Sequence, residues 1–167
     1  MKKLFALFAI TILVASNQSN AQEFYGEFKA WGVFSINQDG KKVCYITSSP
    51  TKKKGNYNRR GEPYMLVTLR ENGITEVSVN SGYPFKKNSE VDIRVDGRHS
   101  YEFFTSEETP EMAWAKDSTT DKQVINKMKA GLKLTAKGYS RLGTYSLDTY
   151  SLAGFTAAFR KMKKICD

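Results

Sequence analysis

Apolar positions change their spacing along this chain, and each change marks a different kind of element. Behind Lys2 and Lys3, residues 4–14 form an uncharged apolar run, and small and polar residues follow down to Ser19-Asn20-Ala21. A positive start, an apolar centre and a small-x-small end mark a cleavable export signal. The run holds about half of the roughly 20 apolar residues that a spanning helix requires. The pattern predicts a signal peptide over residues 1–21, cut after Ala21, and no transmembrane anchor in the mature chain. Gln22 would then be the first residue, so no thiol stands there to carry a lipid. Residues 22–167 have the length of a single domain.

Within that domain the early spacing is two, the period of a strand. Residues 24–36 are aromatic and β-branched, interrupted by Gly26 and Gly32. After the turn cluster Asn37-Gln38-Asp39-Gly40, residues 42–47 resume the alternation, so the two runs read as a hairpin. In the second run Val43, Tyr45 and Thr47 share one face while Cys44 and Ile46 share the other, the inward one. Residues 48–62 break the pattern with Pro50, Gly55 and Gly61 and read as a polar, basic loop. Residues 64–70 and 74–79 flank Glu71-Asn72-Gly73, and Asn-Gly is a strong hairpin signal. Residues 91–95 and 100–105 flank Asp96-Gly97 as a third hairpin.

The period then changes. Thr120-Asp121-Lys122-Gln123 has the form of a capping box, followed by Val124, Ile125 and Met128, with Gly131 as a stop. That predicts a short helix. Residues 132–137 and 144–150 predict a last hairpin. Ser151 is placed to cap a final helix in which Leu152, Phe155, Phe159, Met162 and Cys166 fall on one stripe. Together these elements predict a mostly β fold: an antiparallel β-sandwich or open barrel with immunoglobulin-like packing, one short helix and a C-terminal amphipathic helix.

Composition adds compartment and sign. The formal charge is +9, and loss of Lys2 and Lys3 with the leader lowers it to +7. Cys44 and Cys166 are the two cysteines. In an oxidising compartment a pair on inward faces predicts one disulfide, the alternative being two buried free thiols.

Candidate catalytic groups are few. His99 is the single histidine and lies beside the Asp96-Gly97 turn, where an exposed turn residue is the ordinary outcome. One histidine and two cysteines do not make the usual zinc ligand set. No histidine-based nucleophile arrangement and no glycine-rich phosphate cradle is present. Glu107 and Glu108 are adjacent carboxylates in a polar stretch and are the best acid/base pair on offer. The reading is therefore a non-enzyme with no catalytic residues, no metal and no cofactor. The most distinctive polar feature is the basic loop, where Lys52, Lys53, Lys54, Arg59 and Arg60 surround Tyr57. Five cations around an aromatic suit an anionic surface, and in an exported protein that means an anionic glycolipid or an envelope or host protein, not nucleic acid. The alternative is a solvated loop.

Trp31-x-Val33, Lys42-Val43-Cys44-Tyr45-Ile46 and Pro63-Tyr64-Met65-Leu66-Val67 follow one another in an order that resembles the invasion-associated locus B family of alphaproteobacterial envelope proteins. Ser151-Leu152-Ala153-Gly154-Phe155-Thr156-Ala157-Ala158 matches that family's Ser-Leu-x-Gly-Phe-x-x-Ala signature at every defined position. Phe34 and Ser35 stand where the family has a cysteine, and residues 107–113 lack its further cysteine pair. The family's disulfide pattern is therefore not carried over. The resemblance implies a periplasmic or outer-membrane-associated β-sandwich without known catalysis, linked in some members to host-cell invasion. The function expected is partner binding at the periplasm, the cell surface or after secretion. The alternatives are an assembly factor for outer-membrane proteins and a hydrolase using Glu107 and Glu108.

Overall fold

The computed structural model describes residues 22–70 and 73–166. The leader over 1–21, Glu71 and Asn72 of the predicted turn, and Asp167 lie outside them. Eleven strands make one antiparallel sheet: β1 (Glu23–Phe28), β2 (Trp31–Gln38), β3 (Lys41–Ser48), β4 (Lys52–Gly55), β5 (Tyr64–Leu69), β6 (Thr75–Asn80), β7 (Glu90–Val95), β8 (His99–Thr105), β9 (Met112–Ala115), β10 (Lys133–Tyr139) and β11 (Tyr145–Ser151). Their order in the sheet is β1-β2-β3-β5-β6-β9-β8-β7-β10-β11-β4, so the sheet is open, with β1 and β4 at its edges. The helices are α1 (Ser118–Ala130) and α2 (Phe155–Cys166).

One face of the sheet carries the core. Alternate residues Trp31 and Val33 on β2, Cys44 and Ile46 on β3, and Val91, Ile93 and Val95 on β7 are buried, as a period of two requires. Helix α2 covers the β2–β3 side and α1 covers β6. The sheet folds over itself: the Trp31 indole Nε1, on the second strand in sheet order, donates to the Ser151 carbonyl at the end of β11, 2.9 Å away. The mostly β, antiparallel, sandwich-like fold with a short helix and a C-terminal helix is what the residue pattern predicted.

Several elements differ from the sequence reading, each for a local reason. Residues 24–36 are two strands, because the chain reverses at Lys29-Ala30, with Phe28 paired to Trp31. Lys29 takes φ 55° there with no glycine, asparagine or proline to announce the turn. Residues 48–62 contain strand β4, and residues 112–115 form β9. Helix α1 starts before the predicted box: its cap is Asp117, whose carboxylate accepts the Thr120 N–H at 2.8 Å. Ser151 belongs to β11, and α2 begins at Phe155. The Ser151 hydroxyl instead accepts the Ala153 N–H at 3.2 Å and shapes the turn into the helix.

Candidate binding surface

The predicted basic segment is built into the sheet. In the β4–β11 ladder Lys52 pairs with Thr149, Lys53 with Asp148 and Lys54 with Leu147. Directly paired residues share a face, so Lys53 lies on the inner side with buried Asp148, while Lys52 and Lys54 lie on the outer side. Leu147 is paired in turn with Lys137, and Ser151 with Lys133. Lys52, Lys54, Lys133, Leu147 and Thr149 line one shallow groove. Lys52, Lys54 and Lys133 enter no ion pair among the described residues. The Lys137 ammonium sits over two tyrosine rings, 5.5 Å from the Tyr139 centroid and 5.7 Å from that of Tyr145.

Arg60 is placed quite differently from the lysines with which the sequence grouped it. Its side chain is only 3% exposed and forms a two-pronged ion pair with the equally buried carboxylate of Asp148. One guanidinium nitrogen also donates to the Ser81 carbonyl at 3.2 Å, and the Tyr57 ring lies 4.4 Å from the guanidinium carbon. Burial works against the charge, and the Asp148 carboxylate outweighs it, so Arg60 holds its proton more tightly than usual. Lys53 pairs with exposed Glu62. Arg59 is exposed. The expectation of a polar, basic loop over residues 48–62 is thus corrected. Arg60 and Tyr57 hold the segment down, β4 forms an edge, and Lys52, Lys54 and Arg59 face solvent. Sequence spacing could not separate these roles, because Asp148 lies 88 residues from Arg60.

Glu107 is in an exposed ion pair with Lys87 at 2.7 Å, and the Glu108 N–H donates to the Ser106 hydroxyl in a tight turn. His99 is an exposed residue at the start of β8. Among the described residues no three of His, Cys, Asp and Glu gather as a metal site. The most perturbed carboxylate is Asp121, which the sequence offers as part of a capping box and not as a catalytic group. Burial pushes Asp121 up to about 6, although the Val77 N–H donated to it at 2.8 Å favours the charged form. That bond ties α1 to β6, so Asp121 joins two elements.

The cysteines are joined: Cys44 and Cys166 form a disulfide with a Cα–Cα distance of 6.1 Å, linking β3 to the last turn of α2. Beside it, each defined residue of the Ser-Leu-x-Gly-Phe-x-x-Ala segment has a packing task. Leu152, Phe155 and Ala158 are buried, and the Phe155 ring meets Trp31 edge-on at 5.0 Å. The Ala30 N–H donates to the Ala153 carbonyl at 3.2 Å. Gly154 has φ +88°, and a Cβ there would fall 1.8 Å from the Phe28 carbonyl oxygen, so only glycine fits. The signature is a dock for the β1–β2 turn.

A family model described as Invasion associated locus B (IalB) protein matches residues 31–163. Among solved structures, invasion associated protein B from Bartonella henselae is similar with a TM-score of 0.59 at 21% identity, over 87% of this chain and 96% of its own. At that identity the likeness speaks to the fold. No curated protein matches the chain.

Proposed function

The chain belongs to the invasion associated locus B family, and from that premise we propose that it is an exported, non-catalytic envelope protein that binds an anionic partner along its β4 margin. The leader-like residues 1–21 support export, cleavage after Ala21 and a periplasmic or cell-surface location for a single domain over 22–167. The observation that carries the binding reading is the outer row of Lys52, Lys54 and Lys133 around one groove, Lys52 and Lys54 in no ion pair among the described residues and Lys133 within the field of the Asp96 carboxylate. Charge left unpaired on a rigid sheet costs the fold little and attracts a counter-charge. An anionic glycolipid or an acidic envelope or host protein has the matching sign. A role in invasion would be contact of this margin with an anionic host surface.

Exchange of Lys52, Lys54 and Lys133 for glutamate should abolish capture of anionic envelope fractions at physiological salt, and raised salt should do the same to the wild type. Capture that survives both would sink the reading. A second reading, assembly of outer-membrane proteins, is favoured by the apolar outer face of β2, β3 and β5, where Ile36, Val43, Tyr45 and Leu66 line a hollow of about 450 Å³. Under that reading the glutamate variant still binds envelope protein, and Leu66→Asp does not.

A further inference from the structure

The β10–β11 hairpin ends in a turn that is tightly built and yet presents a large apolar side chain to solvent. The Ser140 hydroxyl accepts the N–H groups of Leu142 and Thr144, both at 3.2 Å, and the Gly143 N–H donates to the Ser140 carbonyl at 2.9 Å. The Arg141 N–H donates to the Pro84 carbonyl at 3.1 Å, and Gly143 takes φ +82°, so the turn is anchored to its neighbour as well as to itself. Within this ordered turn Leu142 is 84% exposed. Directly behind it Tyr139 and Tyr145 lie 6.4 Å apart on the outer face, 42% and 37% exposed.

Cations ring that tip. Arg141 is in the turn, the Lys86 N–H donates to the Tyr139 carbonyl, and Lys54 is paired with Leu147 two residues from Tyr145; all three side chains are exposed. We propose that the Ser140–Thr144 turn is a membrane-surface anchor: Leu142 enters the headgroup region of an anionic phospholipid bilayer, Tyr139 and Tyr145 sit at its boundary, and Lys54, Lys86 and Arg141 meet lipid phosphates. This rests on the reading above that the partner is anionic, and puts anionic phospholipid in place of the glycolipid or protein given there. An apolar tip backed by tyrosines and basic residues is the composition of an interfacial anchor. One leucine and two half-exposed tyrosines fall far short of the roughly 800 Å² a side that a stable protein interface buries. On the side of Tyr139 away from the turn, Glu90, Asp92 and Glu102 share a depression with Lys137, Tyr139 and Arg94, and Arg94 is paired with Asp92, which leaves the depression acidic by one charge. Their charge turns that region away from anionic lipid, so the molecule docks by its hairpin end and not flat on its sheet.

The test is flotation of the mature chain with vesicles of phosphatidylcholine mixed with phosphatidylglycerol, and of phosphatidylcholine alone. Wild type should bind the mixed vesicles and not the neutral ones. Leu142→Ser should weaken binding roughly tenfold, the scale of one partly buried leucine, with an unchanged melt. Leu142→Trp should restore binding and add a blue-shifted emission on contact with the mixed vesicles. Failure of wild type to bind the mixed vesicles at low salt, or equal binding by Leu142→Ser, overturns the anchor. If Leu142→Ser binds normally while the Lys52, Lys54 and Lys133 exchange loses envelope capture, the anchor falls and the basic margin stands. The converse result removes the margin and leaves an anchor of Leu142, Lys86 and Arg141 without Lys54.

Discussion

The dock around α2 and the margin at β4 are both polypeptide edges folded back on a sheet, yet they use their side chains in opposite ways. At the dock nearly every distinctive residue is consumed by packing. Trp31 holds Phe155 and the Ser151 carbonyl, Gly154 lets α2 approach the Phe28 carbonyl, and Cys166 is bonded to Cys44. At the margin Lys52 and Lys54 stand on an edge strand, exposed and outside any ion pair among the described residues. Side chains at the dock have their partners in the structure, and those of Lys52 and Lys54 have no ion-pair partner among the described residues. The family signature thus serves the architecture.

Arg60 is where the two regimes meet, and it offers the largest effects. It belongs by sequence to the basic segment and by structure to the core. Arg60→Met should cost about 3–5 kcal/mol in a denaturant titration, because it strands the Asp148 carboxylate in a buried site. The double exchange Arg60→Met with Asp148→Leu should recover most of that. If the single variant is as stable as wild type, the pair is not buried in solution and Arg60 returns to the binding surface. At the dock, Phe155→Ala should lose a similar amount, about 3–5 kcal/mol, from removal of a fully buried ring.

Next in size is the disulfide. Exchange of Cys44 and Cys166 for alanine should lower stability by about 2–4 kcal/mol, since the bridge closes a loop of 122 residues in sequence separation. Helix α2 should stay docked, held by Phe155, Phe159 and Met162. Hydrogen exchange that shows α2 open throughout in the double variant would make the bridge, and not the apolar stripe, the clasp.

The fold was legible where one rule governed a run of residues. Strand alternation placed Cys44 inward, and the stripe from Phe155 to Cys166 placed its partner on the facing helix, which is why the bridge could be read from two cysteines. Legibility failed where a tertiary partner overrode local chemistry. Residues 52–55 look like loop because three lysines and a glycine have poor strand propensity, but β11 supplies the pairing that makes them an edge. The turn at Lys29-Ala30 lacks turn residues because Gly154 and Ala153 of a distant segment hold it in place. Asp121 reads as a helix-start acid, and its link to Val77 is invisible until β6 lies beside α1. The candidate site was half legible: its sign and place were in the sequence, and the split between Arg60 and the lysines was not.

Asp121 gives a smaller effect with a defined pH dependence. Its folded-state value is raised to about 6, above the ordinary carboxylate range, so the folded protein favours the protonated form. That contribution is fully present below about pH 4 and is lost as pH rises through about 6. Asp121→Asn keeps an oxygen to accept the Val77 N–H and removes the charge. It should therefore raise stability at pH 7 by about 1 kcal/mol, after allowance for partial solvation, and leave it unchanged at pH 4. Asp96 and Asp117, held low by backbone N–H donors, bend the wild-type profile the other way, so the informative quantity is the variant minus wild-type difference. A difference independent of pH would mean that Asp121 is ionised normally.

The smallest effect on stability belongs to the margin, and it decides between two roles for its lysines. An exposed edge strand invites pairing with a second chain, and lysines are a common means of discouraging it. Lys52 and Lys54 on β4 could serve that purpose alone, with no partner to bind. Lys52→Glu with Lys54→Glu keeps two charges on the edge and reverses their sign. Either role predicts a stability change within about 0.5 kcal/mol, because both side chains are exposed and outside ion pairs. The roles part in two further measurements. If the lysines only guard the edge, the glutamate pair stays monomeric and keeps its affinity for anionic vesicles and envelope fractions. If they only bind, the glutamate pair and Lys52→Thr with Lys54→Thr both lose that affinity and both stay monomeric, whereas under the guarding role the threonine pair keeps it and self-associates in sedimentation velocity. Threonine suits a strand better than lysine but leaves the edge uncharged. Retained anion binding in both variants would assign the lysines to the guarding of β4 and return the search for a partner to the hairpin tip and the apolar face of β2, β3 and β5.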